Sequence, residues 1–175
     1  MPIIICPGIH DPELTDLFIQ AIQNKIPQDY DYLVLPTREY LPYSAIAVYQ
    51  WLARQQLSKT EPLAFIAFSA GVVGGLGAAI AWQLQGGQID KLIAIDGWGM
   101  PLMVNFPIYR ISHDYFTHWS SGILGVGKTS FYADPGVEHL ELWRSPDTSY
   151  GWRIISPGWK TRELLTDYLA RVLNN

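Results

Sequence analysis

From Pro62 through Ile89 the chain carries no charged side chain, and no other feature limits its fold so strongly. Such a run is long enough to cross a bilayer, and Gly71-Val-Val-Gly-Gly75 within it has the G-x-x-x-G spacing that packs membrane helices. Two features point instead to a buried protein core. Pro62 and the break Phe68-Ser-Ala-Gly71 divide the run into a short β-rich piece, Leu63–Phe68, and a small-residue helical piece from Gly71 to Leu84. Gln83, Gln85 and Gln88 then make its end polar. The expectation is a strand buried on both faces that runs straight into a helix, with no membrane span. Gly74, Gly75, Gly77, Ala78 and Ala79 let that helix lie close on its sheet.

The same alternation recurs along the chain. Ile3–Cys6, Tyr32–Leu35 and Leu92–Ile95 are continuous apolar or β-branched runs, the mark of parallel strands covered on both sides. Pro107–Ile111 and Ser130–Ala133 read as two more. Between them, Asp11-Pro12 with Glu13 opens a helix on Leu14, Leu17, Phe18, Ala21 and Ile22. Ser44 caps a second helix carrying Ile46, Val48, Tyr49 and Leu52. The spacing of Leu164, Leu165, Tyr168, Leu169 and Val172 predicts a last helix over Thr161–Leu173. This is the pattern of an α/β protein, a three-layer α/β/α sandwich around a mostly parallel sheet. No repeat or linker divides residues 1–175, which read as one domain, with 97–127 as a small cap or site-covering segment.

With 49% hydrophobic and 16% charged residues, disorder is excluded. A net charge of −4 without a basic stripe argues against a nucleic-acid partner. The single cysteine, Cys6, excludes an internal disulfide and a cysteine-rich zinc site and suits a reducing compartment. With no basic residue before the apolar run of MPIIICPGIH, the expected location is cytoplasmic. The four histidines lack paired spacing with carboxylates on a helix, so no metal or other cofactor is expected.

Two motifs compete for the chemistry. Gly122-Ile-Leu-Gly-Val-Gly-Lys-Thr129 fits the phosphate-loop pattern G-x-x-x-x-G-K-[ST] at every specified position and suggests a nucleotide hydrolase. That loop binds phosphate only when a buried strand delivers it and a helix starts at its Lys-Thr end. Tyr115–Ser121 before it has no strand alternation, and Ser130–Gly136 after it favours strand and turn. Lys128 then reads as a solvated side chain on a glycine-rich connection.

Ser69 has the setting that Lys128 lacks, directly after an apolar strand and directly before a helix, flanked at two residues by Ala67 and Gly71. A sharp strand-to-helix turn exposes the serine oxygen and crowds the residues two before and two after, so those must be small. The N–H of Ala70 can face a developing oxyanion. Through Ala67-Phe-Ser-Ala-Gly71 the chain resembles the α/β-hydrolase family of serine hydrolases, with alanine for the first glycine of G-x-S-x-G as in some of its lipases.

The resemblance implies a minimal α/β-hydrolase fold and a triad in the order serine, acid, histidine, each after a strand. Asp114, after Pro107–Ile111, and His139, after Ser130–Ala133, are the best partners for Ser69. Asp96, which ends a strand, is a rival acid, and Asp134 a weaker one. His113 and His118 read as lining or surface groups. The resemblance puts the second oxyanion donor in Cys6-Pro-Gly-Ile-His10, at the N–H of Ile9 or His10, with Gly8 allowing backbone approach. Cys6 itself reads as buried packing.

The covering segment brings Trp98, Met100, Met103, Phe106, Tyr115, Phe116 and Trp119, an aromatic lining suited to an acyl or aryl group. Together with Gly8, Trp98, Tyr115, Phe116 and Trp119 are the expected substrate-lining residues. The expected activity is hydrolysis of a small-molecule carboxylic ester or thioester. A noncatalytic hydrolase-like binding domain is the alternative from another class.

Overall fold

The computed structural model describes residues 1–26, 30–97, 100–101, 103–125 and 127–175. The chain runs β1 (Pro2–Cys6), α1 (Pro12–Gln23), β2 (Asp31–Val34), α2 (Ala45–Ala53), β3 (Leu63–Phe68), α3 (Ala70–Leu84) and β4 (Ile89–Ile95). It continues through β5 (Ile108–Ser112), α4 (Tyr115–Gly122), β6 (Thr129–Ala133), α5 (His139–Arg144), β7 (Tyr150–Ser156), β8 (Trp159–Leu164) and α6 (Leu165–Leu173). Eight strands form one sheet in the order β2-β1-β3-β4-β5-β6-β7-β8. The first six are parallel and the last two antiparallel.

Side-chain alternation divides the core between the two faces. Ile3, Ile5, Ile66, Phe68, Ile93 and Ile95 pack with Phe18 and Ile22 of α1, Trp143 of α5 and Leu165, Tyr168 and Leu169 of α6. Their neighbours in the strands, Ile4, Cys6, Phe65, Ala67, Leu92 and Ala94, pack with Val48 and Leu52 of α2 and Leu76, Ala79 and Trp82 of α3. This is a three-layer α/β arrangement, as the continuous apolar runs require. Cys6 is fully buried, and burial pushes its thiol up to about 12, so it is inert packing at neutral pH.

Local signals fixed the early helices. Asp11 caps α1 by accepting from Glu13 N, and Ser44 caps α2 by accepting from Ala47 N. Pro62–Ile89 divides at Ser69 into β3 and α3, and no helix among the described residues is long and apolar enough to cross a membrane. Gly71 sits where α3 meets the end of β1. A Cβ there would stand 2.1 Å from the Cys6 carbonyl oxygen and 2.4 Å from that of Pro7.

The C-terminal helix is shorter than its apolar stripe suggests. Thr161–Leu164 belongs to β8, where Leu164 pairs with Tyr150 and Thr161 with Arg153. Glu163 bridges Arg153 at 3.1 Å and Arg171 at 3.1 Å, tying this edge strand to its neighbour and to α6. Tertiary pairing therefore overrides helical periodicity for those four residues. Within 97–127, β5 is an inner strand of the sheet, and α4 is the part that reaches the site.

The helix after β1 covers one face and the helix after β3 the other, so the chain diverges between these adjacent strands. Loops part at such a switch point and leave a crevice at the strands' carboxyl ends.

Candidate functional site

Ser69 stands at that carboxyl edge. It links β3 to α3 with φ 53° and ψ −122°, a conformation few L-residues adopt. Its N–H donates to the Ile95 carbonyl at 2.8 Å, and its side chain makes no helix-capping bond. The hydroxyl is thus not used as a cap, the ordinary structural role of serine at a helix start. Ala70 opens α3, where first-turn N–H groups have no acceptor within the helix.

The loop after β1 abuts this turn. A Cβ on Gly8 would lie 3.0 Å from Ser69 Cβ and 3.2 Å from the Phe68 carbonyl oxygen. Ile9 projects its side chain outward, 72% exposed. His10 Nδ1 lies 2.9 Å from the Asp11 carbonyl oxygen, and its ring meets Phe68 edge-on at 5.6 Å.

On the next strand, Asp96 also takes positive φ, 51°, directly after β4. Its N–H donates to the Ile111 carbonyl at 2.8 Å, which pins the turn to β5. The carboxylate is buried and accepts three hydrogen bonds. Oδ1 takes the His113 backbone N–H at 2.9 Å, while Oδ2 takes Nδ1 of His113 at 2.9 Å and Nδ1 of His139 at 2.8 Å. Burial pushes the Asp96 carboxyl up, but the bonds from His113 and His139 outweigh it and hold the group below its ordinary value.

An ionised carboxylate only accepts, so both Nδ1 atoms carry the proton. That leaves Nε2 of a neutral His139 as a basic lone pair. His139 opens α5, and its ring stacks on Phe68 at 4.7 Å. Phe68 stacks on Trp143 at 4.9 Å, and Trp143 on Phe18 at 3.7 Å, so a column of rings backs the imidazole.

Ser69, Asp96, His113 and His139 line one open cleft of about 510 Å³, together with Ala70, Val73, Phe116 and Thr117. Of the expected lining residues, Phe116 faces this cleft and Gly8 abuts the Ser69 turn. Tyr115 and Trp119 lie outside it on the exposed surface of α4, 61% and 59% accessible, and Trp98 lies outside the described residues.

The acid expected from the sequence is placed elsewhere. Asp114 is the N-cap of α4, accepting from Thr117 N at 2.7 Å, and its Oδ2 lies 3.8 Å from His113 Nε2. The carboxylate against His139 is the rival, Asp96. Asp134 accepts from Trp152 Nε1. His113, read as a lining or surface group, bonds to Asp96; the one signal for it was its place beside Asp114 at the end of β5. His118 sits on α4 near Tyr132, with its ring centroid 5.0 Å away, and burial together with the Arg110 charge lowers its pKa.

Asp96, His113 and His139 are also a group whose ligand-type atoms, within 4.8 Å of one another, could hold a metal ion. Their contacts are at hydrogen-bond separation and use the protons that a metal would have to replace.

The phosphate-loop letters fall in the reverse of the order they need. Gly122 ends α4 and Thr129 starts β6, so the stretch runs helix, loop, strand. Lys128 N–H donates to the Ile108 carbonyl at 2.7 Å. The buried Arg110 guanidinium donates to the Gly125 carbonyl at 2.9 Å and to that of Met100 at 3.3 Å, stapling the segment to the sheet.

No protein-family model matches this chain, and a search of curated proteins returns no match.

Proposed function

We propose that the chain is a serine hydrolase of the α/β-hydrolase type, cleaving a carboxylic ester or thioester with Ser69 as nucleophile, His139 as base and Asp96 as acid. One observation carries this. A serine held at φ 53° with no capping bond opens into the same cleft as an imidazole whose Nδ1–H is fixed on a buried carboxylate.

In the proposed reaction, His139 Nε2 takes the Ser69 hydroxyl proton as Oγ bonds to the substrate carbonyl carbon. The N–H of Ala70 faces the resulting oxyanion, with a second donor from the loop after β1. Collapse breaks the bond to the leaving oxygen or sulfur, which receives the proton from His139. Water, deprotonated by the same nitrogen, then adds to the acyl carbon, and as the bond to Ser69 Oγ breaks the proton returns from His139 to that oxygen and the acid leaves. Asp96 stays ionised throughout, holding the tautomer and balancing the imidazolium. Phe116 and Val73 give the cleft an apolar wall suited to an acyl or aryl group.

A fluorophosphonate probe should label Ser69 and turnover of a short activated ester should fall by about a millionfold in Ser69→Ala. Asp96→Asn should cost about ten-thousandfold, because the neutral amide offers one acceptor oxygen where the carboxylate accepts on both. Asp114→Asn, which keeps a helix cap, should stay within a few fold of wild type. Labelling that survives Ser69→Ala removes the nucleophile assignment, and a folded protein that is never labelled favours a noncatalytic binding domain.

A further inference from the structure

We propose that His113 is a positioning residue for the same reaction, a second imidazole that clamps Asp96 and holds it in register with His139. The inference rests on the proposed Ser69–His139–Asp96 arrangement and adds a fourth side chain to it. Two contacts come from His113 alone: its backbone N–H to Oδ1 at 2.9 Å and its Nδ1–H to Oδ2 at 2.9 Å. Together they fix both carboxylate oxygens, leaving Oδ2 free to turn only towards His139 at 2.8 Å. Asp96 needs such a clamp because its own backbone is in a positive-φ turn at the end of β4, where the strand no longer constrains the side chain.

The clamp is also electrostatic. The groups facing His113 are Asp96 at the end of β4, Asp114 at the start of α4, and Glu138 and His139 at the start of α5. The bond to Asp96 raises the His113 pKa, against burial, and the Asp114 and Glu138 charges add to it. The His113 ring sits 5.9 Å from the His139 ring. Both rings bond to the same carboxylate oxygen, Asp96 Oδ2.

The test uses His113→Ala and His113→Asn, since the asparagine Nδ2 can replace the Nδ1–H donor without the charge. With a short activated ester, His113→Ala should lower kcat by about tenfold to a hundredfold, the scale of a misplaced catalytic group, with KM near wild type. His113→Asn should recover most of kcat. Wild-type kcat in His113→Ala, or equal losses in the two variants, overturns the positioning role while probe labelling at Ser69 stands. A wild type that the fluorophosphonate probe does not label overturns the triad and this inference together.

Discussion

Ala67–Gly71 and Gly122–Thr129 are both glycine-bearing stretches beside the inner strands, and they differ in direction. The first passes from strand through a strained turn into a helix, so the helix start at Ala70 stands at the cleft. The second enters from a helix and leaves into a strand, and among its described backbone groups the Lys128 N–H is bonded to Ile108 and the Gly125 carbonyl to Arg110. Anion binding at a turn needs unengaged N–H groups at a helix start. Letters that match a motif supply this only when the elements on either side come in the right order.

Substitution at glycine separates the two regions most strongly. Gly71→Val should cost about 3–5 kcal/mol, the range of severe core strain, because its Cβ would meet two backbone oxygens that cannot move aside. A urea midpoint equal to wild type would break the claim that this turn is sterically fixed. Gly127→Ala should cost about 1–3 kcal/mol, since its φ of +75° is unfavourable for alanine and the added carbon would stand 2.7 Å from the Ile108 oxygen.

A pH series sharpens the first region further. Asp96 is held below its ordinary value, so its contribution to stability is present above the unfolded value of 3.8 and is lost as pH falls through the folded one. His113 is raised above 6.5, so its contribution is complete below 6.5 and is lost as pH rises through the folded value. Denaturant midpoints should therefore show wild type losing stability relative to His113→Asn as pH rises from 6.5, and parallel curves would contradict the ion pair. The smallest effect belongs to the second region. Lys128→Ala, on an exposed side chain, should change stability by no more than about 0.5 kcal/mol, and magnesium with ATP should leave the wild-type melting temperature unchanged. A rise in melting temperature that Lys128→Ala removes would restore the phosphate-loop reading.

The site was unevenly legible for physical reasons. The turn at Ser69 could be placed because an apolar strand, small flanking residues and a small-residue helix are all local. The strand before His139 was local too. The acid was not, because Asp96 and Asp114 follow neighbouring strands and both could reach the cleft. Which one does depends on the Asp96 turn pinned by Ile111 and on Asp114 being drawn to the N–H of Thr117. His113 was hidden for the same reason: its partner lies across the sheet, not along the chain. The β7–β8 hairpin was obscured because an antiparallel edge takes its order from pairing, and Thr161–Leu164 continues the stripe of α6 by spacing alone.

By itself the sequence determined the layers, since short continuous apolar runs alternating with helical segments fit strands covered on both faces, and it determined the sharp turn at Ser69, since only small neighbours fit one. Only the tertiary structure decided which carboxylate meets His139, that a second imidazole joins it, and that GILGVGKT lies the wrong way round for phosphate. Burial and local conformation are written in neighbouring residues, whereas a hydrogen bond between strand ends depends on register, twist and the direction each chain leaves the sheet.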